Sequence, residues 1–321
     1  MAHEPRSPVG IALSSEEHGP ADLIAIGRLA AEHGFTDLTL SDHYHPWIDE
    51  QGESPFVWTV LGGLAAAIPD VRLGTLVTCP TVRIHPAVIA QAAATTALVA
   101  GGGFFLGVGS GENLNEHILG DKWPPAPVRL AMLEEAVEVM RELWTGEEVS
   151  HAGEHYTVED ARIYSCPEDP PPVYVSAFGP KALEDAARYG DGLVTTSPDA
   201  DAVKRYRDAG GKGPAIATGK ACWATDEQQA RDTVARLWPN TGLPGQLAQE
   251  LRTPKIFEQA VEIVDPDSFL DSLPLGPDPD VHADSVRSYL DAGYDQVFMT
   301  QIGTDHEAFL RFYRDEVLPR L

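Results

Sequence analysis

Short strand-like segments alternate with helix-like segments along nearly the whole chain, and this order limits the possible folds more than any other feature. The first units read VGIALSS, ADLIAIGRLAAEHG, FTDLTLSD, PFVWTVLGGLAAAI, VRLGTLVT, PAVIAQAAATTALVA and GGFFLGVGSG. The strand-like segments are apolar on both faces, and the helix-like segments place apolar residues at i, i+3 and i+4. This pattern is typical of parallel strands that are covered by crossover helices.

About eight strands are predicted in the 321 residues, a length at which a (β/α)8 barrel forms one domain. A doubly wound sheet would usually carry G-x-G-x-x-G after its first strand, and none occurs there. We therefore predict an α/β fold, a single TIM-barrel domain spanning residues 1–321. Two insertions are expected, a hairpin at about 147–166 and a Pro-broken helical segment at about 226–276.

Charge and composition restrict the partners. A net charge of −26 repels nucleic acid and anionic lipid surfaces, so a small-molecule substrate is expected. No apolar run is long enough to span a membrane, and the N-terminal segment lacks a signal-peptide pattern, which predicts a cytoplasmic protein. The three cysteines contain no C-x-x-C pair, so we expect reduced thiols and no metal site.

Polar clusters follow five successive predicted strands of the barrel. In order along the chain, these clusters read SDHYHPW, TCPTVR, GSGENLNE, SAFGP and TTSPD. In a (β/α)8 barrel the carboxyl ends of all strands meet at one mouth, where the active site lies. The five clusters are therefore predicted to surround one site.

These segments, together with LGTLVTCPT, HPAVIAQAAAT, MRELWTGE and the ending LPRL, carry a resemblance over nearly the whole chain. The chain resembles the F420-dependent glucose-6-phosphate dehydrogenase group of the bacterial-luciferase-like superfamily. The resemblance implies the luciferase-like form of the TIM barrel, coenzyme F420 in the barrel mouth, and a homodimer.

The resemblance also implies three catalytic side chains. It assigns His43 as the base that takes the hydroxyl proton, Trp47 as an aromatic wall beside the reacting carbon, and Glu112 as a group that handles a proton at the cofactor. An imidazole with an ordinary pKa of about 6.5 suits the first role, because hydride removal from an alcohol carbon requires the hydroxyl proton to leave.

The cofactor contacts implied by the resemblance come from four loops. A non-prolyl cis peptide is expected between Leu76 and Val77, in the strand that supports the deazaflavin. Glycines such as Gly109 permit close backbone approach to a flat ring or a phosphate. Cys79 stands where the family usually has threonine, and Phe178 replaces a glycine. The predicted contacts are Asp42, Leu76, Val77, Cys79, Gly109, Asn115, Ala177, Phe178 and Gly179.

The substrate positions depart from the family pattern. Three cations clamp the sugar phosphate in the family, and an ungapped placement puts Asp199, Gln259 and Ala283 at those positions. Losing charge-assisted bonds of about 1.5–3 kcal/mol each disfavours a dianionic phosphate. Trp47, Trp58 and Phe178 are candidates for apolar walls around a neutral ligand.

The sequence therefore predicts an F420-dependent oxidoreductase that moves hydride between a neutral alcohol or sugar hydroxyl carbon and the deazaflavin. Three alternatives stay open: a sugar-6-phosphate dehydrogenase that uses other cations, an FMN-dependent luciferase-like monooxygenase, and a non-catalytic F420-binding protein.

Overall fold

The computed structural model describes residues 5–321 and contains a closed barrel of eight parallel strands in the order β1-β10-β9-β8-β7-β4-β3-β2. This confirms the predicted TIM barrel. The strands are β1 (Val9–Leu13), β2 (Asp37–Leu40), β3 (Arg72–Thr78), β4 (Phe104–Val108), β5 (Val149–Ala152), β6 (Thr157–Ala161), β7 (Val173–Ser176), β8 (Gly192–Thr195), β9 (Ala215–Ala221) and β10 (Gln296–Gln301).

Helices surround the barrel, and several begin at residues suited to that position. Proline lies in the first turn of six of them, where its missing N–H costs nothing, and Asp226 accepts a hydrogen bond from a backbone N–H at the start of another. The helices are α1 (Pro20–Glu32), α2 (Val57–Ala67), α3 (Pro86–Val99), α4 (Asn113–Glu116), α5 (Ala126–Leu143), α6 (Pro180–Tyr189), α7 (Ala200–Asp208), α8 (Glu227–Leu237), α9 (Leu247–Glu250), α10 (Pro254–Val261), α11 (Asp267–Leu270), α12 (Pro279–Asp291) and α13 (His306–Phe312).

The alternation of side chains along each strand separates two apolar cores. Outward side chains pack under the helices in one large cluster, whereas inward side chains fill the barrel. The inner cluster consists of Phe105, Tyr174, Val194, Ile216 and Phe298. These large side chains fill the barrel interior and leave the mouth above them, where (β/α)8 enzymes carry their active sites.

Two segments depart from the simple βα alternation. Strands β5 and β6 pair antiparallel, and Glu135 of α5 accepts hydrogen bonds from the backbone N–H groups of His155 and Tyr156 at their turn. Helices α8 to α11 lie between β9 and α12. Their buried face forms a third apolar cluster with the loops after β2 and β4, through residues that include Trp47, Leu114 and Phe257. The helical segment therefore covers one side of the mouth.

In residues 5–321, no helix has the length and apolar character needed to cross a membrane.

Candidate active site

The barrel mouth is open to solvent at the inward positions near the carboxyl ends of the strands. These positions keep partial solvent access, whereas most of the surrounding strand residues are buried. They are Ala12, Leu76, Val77, Ser176, Thr218, Lys220 and Thr300. Most of these side chains are small, and they form the floor of the mouth above the packed inner cluster.

The cis peptide predicted between Leu76 and Val77 is present. The pairing of β3 with β4 shifts register between Thr75 and Thr78, and Leu76 and Val77 both pack against the inner cluster. These two residues give the floor an apolar strip.

His43 lies between two carboxylates. Its Nε2 is 3.6 Å from Oε1 of Glu16 and 3.5 Å from Oε2 of Glu112, and its Nδ1 is 3.3 Å from the carbonyl oxygen of His45. A proton on Nδ1 can be donated to that carbonyl, which leaves the Nε2 lone pair facing the carboxylates. In this tautomer His43 can accept a proton at Nε2, and the carboxylates stabilise the imidazolium that forms.

Glu112 is suited to proton transfer near neutral pH. Burial raises its pKa to about 7, against the attraction of His43, and repulsion from Glu16 and Glu116 acts in the same direction as burial. Its side chain retains 28 % exposure. A carboxyl group with this pKa exchanges a proton readily at neutral pH.

Glu16 was missed by the sequence reasoning. It follows β1 and is 2 % exposed, and its Oε2 accepts hydrogen bonds from Oγ of Ser14 at 2.8 Å and Oγ of Ser41 at 2.9 Å. Glu16 could have been identified from its position in ALSSEEHG, where a carboxylate directly follows the first strand and therefore lies at the barrel mouth.

Asp42 and Asn115 hold the loop that carries His43. Asp42 accepts a hydrogen bond from Oγ1 of Thr78 at 2.8 Å. It also forms an ion pair with the guanidinium of Arg83, whose Nη2 donates to Oδ1 of Asp42 at 2.8 Å. Oδ1 of Asn115 accepts the backbone N–H groups of Tyr44 and His45, at 2.9 and 3.2 Å. Asn115 also donates through Nδ2 to Oε2 of Glu112, at 3.3 Å. These contacts connect the loops after β2, β3 and β4 into one network.

The glycines after β4 are required by packing. A Cβ at Gly109 would lie 2.8 Å from Cγ2 of Val77, and one at Gly111 would lie 2.5 Å from Sγ of Cys79. Gly111 also has a φ of +82°, which side-chain-bearing residues rarely adopt. Cys79 is buried beside Thr81, and burial raises the pKa of its thiol.

The loop after β7 is more open. Ala177 is buried, Phe178 is 53 % exposed, and Gly179 precedes α6 with no neighbouring atom near the position of a Cβ. The loop therefore presents accessible backbone at the rim.

The aromatic wall differs from the predicted one. Trp58 lies in α2 and packs on Phe104 in the outer core, so its suggested role at the mouth is wrong. Trp47 lies with its ring centroid 5.1 Å from that of His43 and contacts Phe257 of α10 edge-on, also at 5.1 Å. The helical segment thus supports the wall.

The three predicted substrate positions do not converge. Asp199 is exposed after β8, and its Oδ1 accepts the backbone N–H of Ala202 at 3.0 Å, so it caps α7. Gln259 is exposed on α10. Ala283 is completely buried on the inner face of α12, and its predicted contact with substrate is wrong, because ungapped counting placed a core-facing helical position at the mouth.

Lys220 was also missed. It is the last inward side chain of β9, and its Nζ lies 4.6 Å from the ring centroid of Trp238. Trp238 donates through Nε1 to Oε1 of Glu17 at 2.6 Å, and the backbone N–H of Gly303 donates to Oε2 of Glu17 at 2.8 Å. Burial raises the pKa of Glu17 to about 7. Through Glu17, Trp238 of the helical segment is connected to the loops after β1 and β10.

Comparison with known proteins gives the family. The model of the luciferase-like monooxygenase family matches residues 6–296, and the chain belongs to this family. Similar relatives include F420-dependent glucose-6-phosphate dehydrogenases of Microbacterium testaceum, 36 % identical over 97 % of this chain and 96 % of the relative, and of Nocardia farcinica, 35 % identical over 98 % and 97 %.

A solved structure supports the same placement. An F420-dependent secondary alcohol dehydrogenase, in complex with an F420-acetone adduct, superposes with a TM-score of 0.90 at 26 % identity, covering 98 % of this chain and 99 % of that one. The F420-dependent tetrahydromethanopterin reductase of Methanopyrus kandleri has a TM-score of 0.77 at 20 % identity, over 97 % and 98 %, and shares the fold.

Proposed function

We propose that this protein is an F420-dependent oxidoreductase that transfers hydride between the deazaflavin and the hydroxyl-bearing carbon of a neutral alcohol or sugar. The observation that carries this proposal is the placement of the His43 Nε2 between Glu16 and Glu112 at an open barrel mouth. The F420 dependence named for the relatives, and for the structure that superposes at 0.90, supports the cofactor.

The residues at the mouth fit a flat ring with an anionic tail. Leu76 and Val77 offer an apolar strip, and the absence of a side chain at Gly109 lets Val77 pack closely against the end of β4. The open loop at Phe178 and Gly179 offers backbone N–H groups to a phosphate, whereas the N–H of the buried Ala177 donates to the carbonyl oxygen of Val194. Asp42, Cys79 and Asn115 would contribute from the loops after β2 to β4. When bound, the deazaflavin supplies a carbon that accepts or returns a hydride.

The protein's own groups manage the proton. Nε2 of His43 takes the hydroxyl proton as the carbonyl forms, and Glu16 and Glu112 stabilise the resulting positive charge. Trp47 limits water beside the reacting carbon. Glu112, with its raised pKa, holds or releases a second proton within 3.5 Å of the imidazole.

A neutral substrate is favoured over glucose 6-phosphate. Asp199 and Gln259 bring no positive charge, and the alternative cations are poorly placed: Lys204 pairs with Asp208, and Arg252 and Lys255 are exposed. The names of the relatives favour a second candidate, a sugar-6-phosphate dehydrogenase, in which other cations hold the phosphate.

Binding and turnover assays test the proposal. Oxidised F420 and FMN would be titrated into the purified protein by calorimetry, and alcohols, sugars and sugar phosphates would be screened for bleaching of the deazaflavin absorbance. We expect F420 to bind at least ~10-fold more tightly than FMN. Equal or stronger FMN binding would favour the monooxygenase alternative, and F420 binding without turnover of any compound would favour a non-catalytic protein.

We further propose a homodimer formed through α2 and α3. These adjacent helices contain none of the chain's 23 Lys and Arg or 49 Asp and Glu residues. Val88, Leu98 and Val99 of α3 are nevertheless 57, 51 and 47 % exposed. A charge-free helical face on such an acidic protein suits burial against a second copy.

Light scattering after gel filtration tests the dimer. Val88→Glu with Leu98→Glu should produce monomers, whereas Ile263→Glu, at a residue that is 88 % exposed elsewhere, should not. A monomeric wild-type protein would contradict the proposal.

The three free thiols, Cys79, Cys166 and Cys222, suit a reducing compartment, and we propose the cytoplasm.

A further inference from the structure

The side chain of Lys220 has no assigned role in the chemistry described above. The alternation along β9 puts Ile216 into the inner cluster and the flanking Ala215 and Ala217 into the outer one. Lys220 lies four residues after Ile216, so it points into the barrel, and it keeps partial solvent access. Its ammonium group therefore lies in the mouth.

The ammonium donors of Lys220 are available to a ligand. Among residues 5–321, the Lys220 side chain forms no hydrogen bond, and no carboxylate oxygen lies within 4.0 Å of Nζ. Its contact is with the face of the Trp238 ring, which Glu17 holds in place. The Lys220 ammonium, stacked on the Trp238 ring and without an acceptor among the described residues, can donate hydrogen bonds to a ligand in the mouth.

The barrel order separates Lys220 from the group that handles the proton. His43 follows β2, and strands β10 and β1 lie between β2 and β9. Lys220 therefore meets a different part of the substrate from the hydroxyl that faces His43. The cofactor positions also lie elsewhere, after β2, β3, β4 and β7, so the substrate is the natural acceptor for Lys220.

The charges around Lys220 select the kind of acceptor. Glu16, Glu17 and Glu112 act on the ammonium electrostatically, and burial nevertheless lowers the pKa of Lys220. Glu17 and Glu112 each have a pKa of about 7 and are partly ionised near neutral pH, so together with the Glu16 carboxylate they would repel a dianionic phosphate, and a single cation does not offset them. A neutral hydroxyl or carbonyl oxygen accepts a hydrogen bond from the ammonium without that repulsion.

We propose that Lys220 determines specificity by donating a hydrogen bond to a second oxygen of the substrate, so that the enzyme prefers neutral polyhydroxylated alcohols and sugars to simple alcohols. This inference rests on the proposed function. It names the substrate class of the same mouth and assigns recognition to β9 rather than to the loop after β8.

Matched substrate pairs test the role of Lys220. Glucose would be compared with tetrahydropyran-2-ol, and 1,2-propanediol with 2-propanol, by following deazaflavin absorbance. In each pair, the wild type should favour the member with more hydroxyl groups (four more in glucose, one more in 1,2-propanediol) by at least ~10-fold in kcat/KM, because a site that donates a hydrogen bond penalises a ligand that cannot accept it. Lys220→Met should remove at least ~10-fold from the hydroxylated member and less than ~3-fold from the simple one.

Controls separate this inference from the proposed function. Lys220→Arg should retain most of the preference, and Lys204→Met, at an exposed lysine, should leave it unchanged. F420 fluorescence titrations and thermal unfolding should give near wild-type values for Lys220→Met. Equal loss on both members of a pair, no loss, or turnover of neither pair by the F420-loaded enzyme would overturn the inference. Failure to bind F420 would instead overturn the proposed function.

Discussion

The two sides of the barrel mouth differ in how their polar groups are satisfied. On the side of β2, β3 and β4, Asp42, Asn115 and Glu116 are engaged in hydrogen bonds that fix three loops against one another. On the side of β8 and β9, Asp199 caps α7, and the Lys220 side chain has no acceptor within the described part of the chain. A pre-organised surface suits a cofactor that binds in every turnover, whereas an unsatisfied donor suits exchange of substrates.

The largest expected effect concerns the β8–β9 side. Glucose 6-phosphate should have a kcat/KM at least ~10³-fold below that of the best neutral alcohol or sugar, because two missing charge-assisted contacts of about 2 kcal/mol each predict such a loss. Steady-state assays of both classes measure it. Efficient, saturable oxidation of the phosphate would show that this side does carry cations for an anionic group.

The next largest effect concerns His43, in the loop after β2. His43→Ala should lower turnover by ~10²-fold or more while F420 affinity stays near the wild-type value, since a positioned base contributes that range. His45→Ala, at a neighbouring imidazole whose Nδ1 faces the Leu114 carbonyl oxygen, is the matched control. Near-normal turnover of His43→Ala would assign His43 a purely structural role.

The pre-organised side should respond through cofactor affinity. Asn115→Ala leaves the N–H groups of Tyr44 and His45 without their acceptor, which costs about 1–3 kcal/mol and loosens the loop. We expect ~10-fold weaker F420 binding by fluorescence titration. Phe178→Ala at the open rim is the contrast and should change affinity by less than ~3-fold. If Asn115→Ala and Phe178→Ala weakened F420 binding equally, the proposed pre-organisation of the β2–β4 side for the cofactor would be contradicted.

The smallest effect is the pH dependence of stability. The pKa of Glu112 is raised from 4.5 to about 7, so between these pH values the folded state binds more protons than the unfolded state. The contribution of Glu112 to stability is therefore present below about pH 4.5 and is lost as the pH rises through 7. After allowance for its partial exposure, Glu112→Gln should stabilise the protein by about 1 kcal/mol at pH 8 relative to the wild type.

Urea unfolding at pH 5 and pH 8 checks this difference. The stability gain of Glu112→Gln over the wild type should shrink at the lower pH. Glu250→Gln, at a side chain that is 49 % exposed, should show no such trend. A gain that does not depend on pH would indicate that Glu112 is not held near its raised pKa.

The meeting of the loops after β2 and β4 was predictable from the sequence, because each polar cluster directly follows a strand. SDHYHPW and GENLNE each follow a strand, and strand ends of a parallel barrel meet at one mouth. The substrate side was predicted poorly. Gln259 and Ala283 were placed by counting along a segment that contains four helices, and Ala283 proved to face the core.

Local pattern and composition determined the barrel, the family resemblance and the loop that carries His43, since strand and helix periodicities depend on neighbours in sequence. The tertiary structure alone decided which distant charges meet. It brought Glu16 to His43, fixed Trp238 with Glu17 beneath Lys220, and buried Trp58 away from the mouth. These outcomes depend on the inward or outward direction of each strand residue and on how the helical segment covers the mouth. Residue spacing along the chain does not encode that packing.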